Sequence, residues 1–407
     1  MQKIYILFLL FALASCKTRK GAAPSQPVTI QQPPKDSVVV KKSAAPEEKR
    51  QFTLTLLLAL SAQKYFEKDS AGNYVVPEME TLNNTALQFY EGVLSARMIH
   101  ENNIKLNVID VAIDSIKIVK LLKDSTILKS DLVVSLAGPS VNNMILKAAA
   151  AREFPLFSPV SITSNLVNTY NKIWSVNPSN KTQCRRMAAF LKEQYPDAAY
   201  SIIYRSDVKK EDDLAELFNG ELHSLFNDTA VRKINYAPDG WNRLQKNLKT
   251  TKRNILIIPS SDESFLTTLL TKLNTEEQYS FLIVGLPTWE HFESLDQSLL
   301  ETLNTHIFNT TFLDYENEKV KQFRKQFIEA YHADPVFAAY SGYDLYQWID
   351  TNFTKFGKEL EKYESTTSLT SPETGFEFVR LCDNCSFENQ NISVLVFKDG
   401  ALKRVQQ

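Results

Sequence analysis

The chain has 407 residues, 43% of them apolar, with 46 Lys and Arg against 47 Asp and Glu and a formal charge of −1. That balance sets up no basic field to steer nucleic acid or another strongly charged polymer. Beyond the amino terminus no run of eighteen apolar residues offers a membrane span, and enough chain remains for two domains with real cores.

In chain order, Met1-Gln2-Lys3 is a short basic start, Ile4 to Leu13 a nearly unbroken apolar run, and Leu13-Ala14-Ser15-Cys16 a small-residue site ending in cysteine. The run is too short to span a bilayer and reads as a removable export signal over 1–16. It resembles a bacterial lipoprotein signal, which implies that Cys16 is lipidated and becomes the first mature residue. Anchoring by two or three acyl chains is durable where one chain is not. The alternative is a plain secretory signal with a cysteine there by chance. Residues 17–50 carry Pro24, Pro27, Pro33, Pro34 and Pro46 and no aromatic residue. Such a segment buries too little apolar surface to fold. It is expected to be a disordered tether of 34 residues, roughly 30 Å across as a coil and about 100 Å when extended. Its eight Lys and Arg outnumber three Asp and Glu, which suits an anionic membrane surface or simply solvates the tether. Lys17 and Thr18 put no acidic residue after the cysteine. By the lipoprotein resemblance, this points to the periplasmic face of the outer membrane.

From Gln51 onward short apolar runs alternate with amphipathic helical patterns. Strands are predicted at Thr53–Leu60, Ile104–Val111, Asp131–Leu136, Pro155–Pro159, Tyr200–Tyr204, Val231–Tyr236, Asn254–Pro259, Phe281–Gly285 and Ile307–Leu313. Most are apolar on consecutive positions, as strands covered on both faces must be. Between them Ala86, Phe89, Tyr90 and Val93, and Val141, Met144, Ile145, Ala148 and Ala149, recur at helical spacing. Alternating βα units imply an α/β protein with doubly wound parallel sheets. Nine strands exceed one small sheet, so two lobes are expected.

The residues that could carry chemistry are sparse. His100, His223, His291, His306 and His332 are scattered, with no metal-ligand spacing, no nucleophile elbow and no phosphate-cradling glycine loop. The expectation is no enzyme, no cofactor and no metal. Cys382-Asp-Asn-Cys385 precedes predicted loop and strand, not a helix, so a disulfide across a tight turn is preferred over free thiols or a redox function. Cys184 falls among Met187 and Ala188 as a small buried hydrophobe.

The order of landmarks resembles the type I periplasmic-binding-protein fold, the family of leucine/isoleucine/valine-binding proteins. The likeness is carried by Leu56-Leu57-Leu58-Ala59-Leu60 as opening strand and by Ala86-Leu87-Gln88-Phe89-Tyr90-Glu91-Gly92 as a first helix in which glycine permits close approach. It continues through Asp131-Leu132-Val133-Val134 with Gly138-Pro139-Ser140, Phe154–Pro159, Trp174–Ser179, Pro335 with Gly342-Tyr343-Asp344, and Val394–Gly400 as a closing hairpin. Gly285-Leu286-Pro287-Thr288-Trp289 looks closest to Bacteroidota lipoprotein members, though no peptidoglycan-binding module is expected in 17–50. The resemblance implies two lobes joined by three crossings near Asn177, Thr305 and 366–374. Lobe 1 would be 51–175 plus 306–365, and lobe 2 178–304 plus 375–407.

A family member of this kind binds a small polar ligand, an amino acid, peptide or wall fragment, in the interlobe cleft by hinge closure. By that resemblance Ser140, Asn142, Ser161 and Thr163 would face a ligand carboxylate, and Tyr204, Ser260, Asp262 and Trp289 an amine. Ile162 departs from the family's threonine and weakens the free-amino-acid expectation. The long polar loop Ser61–Glu80, with Lys64, Tyr65, Phe66 and Tyr74, could cap the cleft or face a partner. The alternative function is a docking scaffold or activator for an envelope partner in peptidoglycan synthesis, as in outer-membrane activators with a similar domain.

Overall fold

The computed structural model describes residues 51–405 apart from 75–76, 100–102, 112–114, 161–169, 227–230, 238, 367, 370–374 and 381. Fourteen strands are described, in chain order. β1 (Phe52–Leu58), β2 (Ile104–Asp110), β3 (Leu132–Leu136), β4 (Leu156–Ser158) and β5 (Ile173–Ser175) come first. β6 (Ala199–Tyr204), β7 (Val231–Asn235), β8 (Arg253–Ile257), β9 (Ser280–Gly285) and β10 (His306–Asn309) follow. β11 (Phe378–Arg380), β12 (Phe387–Asn389), β13 (Ser393–Lys398) and β14 (Ala401–Arg404) close the chain.

They form two seven-stranded sheets, ordered β11-β12-β5-β4-β3-β1-β2 and β14-β13-β10-β9-β8-β6-β7. In the first, every described pairing is parallel except β11 with β12. In the second, only β10 with β13 and β13 with β14 are antiparallel. Each lobe is therefore a doubly wound parallel-dominated sheet, and the strand order reverses between β1 and β3 in one and between β6 and β8 in the other.

Burial explains the apolar runs. Phe52, Leu54, Leu56 and Leu58 of β1 enter one core cluster while Leu57 enters another. In β8, Ile255 and Ile257 face one cluster and Leu256 the opposite one. Both faces of each sheet are covered, so alternation between polar and apolar residues disappears. The first lobe is completed by helices Glu318–Tyr331 and Phe337–Phe356. The second of these packs on the Thr81–Ile99 helix through Gly92 and Gly342. The closing hairpin turns at Asp399-Gly400, both with positive φ, as a two-residue turn between twisted strands requires.

Sheet membership moves two of the expected lobe boundaries. β10, expected in the lobe 1 segment 306–365, is hydrogen-bonded to β9 and β13 in the second sheet, so the second crossing falls between Asn309 and Glu318 rather than at Thr305. β11 and β12, expected in the lobe 2 segment 375–407, belong to the first sheet. There Phe387 stacks on Trp174 at 4.9 Å and Phe378 packs on Trp348 at 5.3 Å. The third crossing is then 390–392, not 366–374. Between β5 and the Asn180–Gln194 helix the chain passes from first to second lobe around Asn177. β5 itself is a strand that the sequence pattern does not announce.

Cys382 and Cys385 form a disulfide at the mouth of the β11–β12 hairpin. Cys184 is fully buried, and burial pushes its thiol well above the ordinary range. The expected leader and tether, with Cys16, lie outside the described residues.

Candidate functional site

In open α/β sheets the crevice for a ligand lies beyond the carboxyl ends of the strands, where strand order reverses. In the first lobe this is the space between the loops after β1 and β3. The backbone N–H groups of Leu60, Ser61 and Ala62 converge there, and all three donate to the carboxylate of Asp110 at 3.1, 3.0 and 2.8 Å. A cradle of amides that could have held an anion is filled by the protein's own. Beside it Asn83 donates to the Ala59 carbonyl at 2.7 Å and to Ser61 at 3.2 Å.

After β3, Asn142 is buried and turned inward. Its amide oxygen accepts from Ser135 at 2.5 Å and from the Ala137 N–H at 3.3 Å, and its nitrogen donates to the Ala137 carbonyl at 2.6 Å. It fastens the loop to the strand. Ser140 is exposed, and the helix Pro139–Arg152 is capped by Gly138 without a side-chain bond. Ser161 and Thr163, with Ile162, lie outside the described residues.

The matching position in the second lobe holds a charge cluster. Arg205, one residue past β6, grips Glu211 through Nε at 3.2 and 3.1 Å and through a short contact from Nη2. Its other nitrogen reaches Asp262 at 2.7 Å. Glu211 is only 3% exposed and also accepts from Ser260 at 2.6 Å and from the Arg205 backbone N–H at 3.0 Å. Asp262 caps the Glu263–Asn274 helix by accepting from the Phe265 N–H at 3.0 Å. That bond and the guanidinium hold its carboxyl below the usual carboxylate range, and Glu211 chiefly raises Arg205 above its own. Asp262 is thus occupied before any amine arrives.

The aromatic residues expected with Asp262 are engaged by the protein itself. Trp289 is 1% exposed, its ring lies against Gly285, and its indole N–H donates to the Ser260 carbonyl at 2.8 Å. The close approach needs Gly285, since a Cβ there would fall 2.5 Å from the ring. Tyr204 ends β6 with Lys233 over its ring at 4.8 Å. Ser260, Asp262 and Trp289 are therefore brought together, but as one structural knot.

Open space lies nearby, at the second crossing. A cavity of about 560 Å³ is walled by the turn after β9, with Pro287, Thr288, Glu290 and His291, and by the crossing itself from Thr311 to Glu316. Asn309 and Leu402 of the second sheet and Phe337, which opens the last helix of the first lobe, complete it. Both lobes and the segment that joins them contribute. Sequence reasoning missed these residues along with Asp110, Arg205 and Glu211. The available signals were Asp110 and Arg205, charged positions closing or directly following apolar strands.

No protein-family model matches the chain, and no curated protein matches its sequence. Solved structures do match it. An ABC-transporter substrate-binding protein from Desulfitobacterium hafniense, in complex with Leu, superposes with a TM-score of 0.52 at 14% identity, covering 88% of this chain and all of that one. The fold is that of the type I periplasmic binding proteins. The C-domain of Haemophilus influenzae LpoA, a regulator of PBP1A, shares this fold with a TM-score of 0.57 at 12% identity over 87% of this chain and all of that domain. A second Haemophilus influenzae LpoA structure gives 0.58 at 13% identity, and the match spans 59% of that chain. These neighbours are binding and regulatory proteins. Among the described residues of this type I fold, no cluster of His, Cys, Asp or Glu could hold a metal ion, and no helix is long and apolar enough to cross a membrane.

Proposed function

We propose that this protein captures a small polar ligand between its lobes, in the cavity at the second crossing, by hinge closure, and that it does so without catalysis. The observation that carries the reading is the cavity itself. About 560 Å³ falls within the usual range for small-molecule sites. Its walls come from two lobes and the segment joining them, so a ligand held by both lobes at once would favour the closed state. The amides after β1 are taken by Asp110 and the helix after β8 is capped by Asp262, which argues against these two points as ligand anchors. On this reading Cys16 carries lipid, 17–50 is a tether and the lobes work at the periplasmic face of the outer membrane. Replacing Cys16 with serine should then move the protein from the membrane to the soluble fraction.

Thermal-shift screening of the protein against amino acids, peptides and wall fragments tests the capture reading. A ligand at a hundred times its dissociation constant adds about 2.7 kcal/mol of stability. The second reading, docking on an envelope enzyme of peptidoglycan synthesis, is favoured by one feature. Phe66 and Tyr74 stand 70% and 59% exposed at the end of the Ser61–Glu80 loop, in an edge-to-face pair with Lys68 over the Tyr74 ring. Silence in the ligand screen, together with loss of a purified synthase partner on Phe66→Ser and Tyr74→Ser substitution, would decide for docking.

A further inference from the structure

We infer that the cavity at the second crossing takes a cation with two or more ammonium groups and no carboxylate, a diamine or polyamine in chemical class. This rests on the proposal that the cavity is the binding site. Three carboxylates stand in its walls, Glu290, Asp314 and Glu316, and no Lys or Arg does. Among the described residues Glu290 and Asp314 have no cationic partner. Glu316 has one, Lys321 at 3.1 Å, which is exposed and shared with Glu318 at 3.2 Å, so its neutralisation is weak and screened.

The carboxylates sit at two places. Glu290 rises from the turn after β9, whereas Asp314 and Glu316 belong to the crossing, where Asp314 accepts the Glu316 N–H at 2.9 Å. A ligand with two ammonium groups can meet both places at once, whereas a single positive charge meets only one. The remaining wall is aromatic, from Phe312, Tyr315 and Phe337, and ring faces attract ammonium groups. Besides Lys321, the Arg404 guanidinium lies 5.8 Å from the Phe312 ring centroid, and Arg324 and Lys325 line a neighbouring cavity with Tyr315. Arg404 occupies the Phe312 ring, and among the described residues Phe337 is the cavity ring with no cation beside it.

The walls are equally informative about what they refuse. The Asn309 amide nitrogen faces Glu290 at 3.4 Å, while its oxygen is taken by the Thr311 N–H at 2.8 Å and hydroxyl at 3.0 Å. Thr288 shares a hydrogen bond with Ser261 at 3.3 Å. Of the side-chain donors in the wall His291 and the exposed Tyr315 hydroxyl are left, too little to compensate a ligand carboxylate drawn among three others. Amino acids are therefore poor occupants, in contrast to the Leu held by the Desulfitobacterium protein of the same fold.

The test is calorimetric titration of the purified protein with spermidine, putrescine, leucine and glutamate, in 50 and 500 mM KCl. Spermidine should bind at one site with affinity falling at high salt, and neither amino acid should bind. Glu290→Gln and Asp314→Asn should each weaken spermidine at least tenfold without changing the melting temperature of the free protein. Glu277→Gln, an exposed carboxylate away from the cavity, should change nothing. Leucine or glutamate binding that Glu290→Gln abolishes would leave capture standing and sink the amine class. Spermidine binding at many sites, or binding indifferent to both cavity substitutions, would also sink it. A protein that binds none of the four overturns the amine class, and silence in the wider ligand screen as well overturns capture itself.

Discussion

Alanine at Gly92 and alanine at Gly220 are the same exchange inside two helices, and they should move stability in opposite directions. Gly92 lies where the Thr81–Ile99 helix crosses Phe337–Phe356. A Cβ there would fall 1.9 Å from the Ala339 carbonyl oxygen and 2.8 Å from its carbon. Ordinary contact begins near 3.4 Å, so the helices would have to part by roughly 1.5 Å, and the obstacle is backbone that no rotamer change removes. A Cβ at Gly342 would likewise fall 2.0 Å from the Phe89 carbonyl oxygen, so the approach is specified from both sides. Overpacking a well-filled site costs about 1–3 kcal/mol. Here it falls at or above the top of that range, because two long helices move together. Alanine returns about 1 kcal/mol of helix propensity, leaving a net loss of about 2 kcal/mol or more. At Gly220, in the Lys209–Leu225 helix, nothing lies within 4 Å of the added carbon. Only propensity and unfolded-chain entropy act, for a gain of up to about 1 kcal/mol. Urea unfolding of both variants reads this as midpoint shifts of opposite sign at constant slope. A neutral or stabilised Gly92→Ala protein would falsify the close-approach argument.

Three further outcomes are expected. Glu388 of β12 is buried and accepts from the Ser179 hydroxyl at 3.1 Å, the Ser179 N–H at 3.4 Å and Thr182 at 2.5 Å, tying the third crossing to the helix that begins after the first. Glu388→Ala orphans these donors and should cost about 3 kcal/mol, with Glu388→Gln milder because an acceptor survives; equal unfolding midpoints for the two would contradict this. Removing the Cys382–Cys385 link should cost at most about 2 kcal/mol, the loop-entropy value for so short a ring. Dithiothreitol should lower the melting temperature of the parent protein while leaving a Cys382→Ser, Cys385→Ser double variant unmoved. Burial holds the His306 imidazole below its usual range, so the folded protein takes up that proton less readily than the unfolded chain. Its contribution is fully present above pH 6.5 and lost as pH falls below that, at up to about 1.4 kcal/mol per pH unit. His306→Asn should flatten the stability profile between pH 6.5 and 5, and an unchanged slope would show that another group is responsible.

Much of the scaffold was legible from the residues. The runs at Leu54–Leu58, Leu132–Leu136 and Ile255–Ile258 are apolar without alternation because each strand is covered on two faces, and that pattern is local. Asp399-Gly400 in its turn was equally readable, since its conformational demand is met within a few residues, whereas Gly92 answers to Ala339 on a helix distant in sequence. The site was not. Asp262 as a helix cap is written in its own neighbourhood, but its engagement by Arg205 depends on which strands lie side by side.

From its residues alone, then, this chain reads as an exported, tethered α/β protein with two cores, because composition and periodicity report burial and burial is locally patterned. Only the tertiary structure assigns β10 to the second sheet and β12 to the first, where Asn389 meets Val176 across 213 residues. It alone turns Trp289 inward, fills the first-lobe amide cradle with Asp110, and leaves space among Glu290, Asp314 and Glu316. Charges find partners through space at the ends of strands, and the order of those strands is set by long-range packing that no local window of sequence contains.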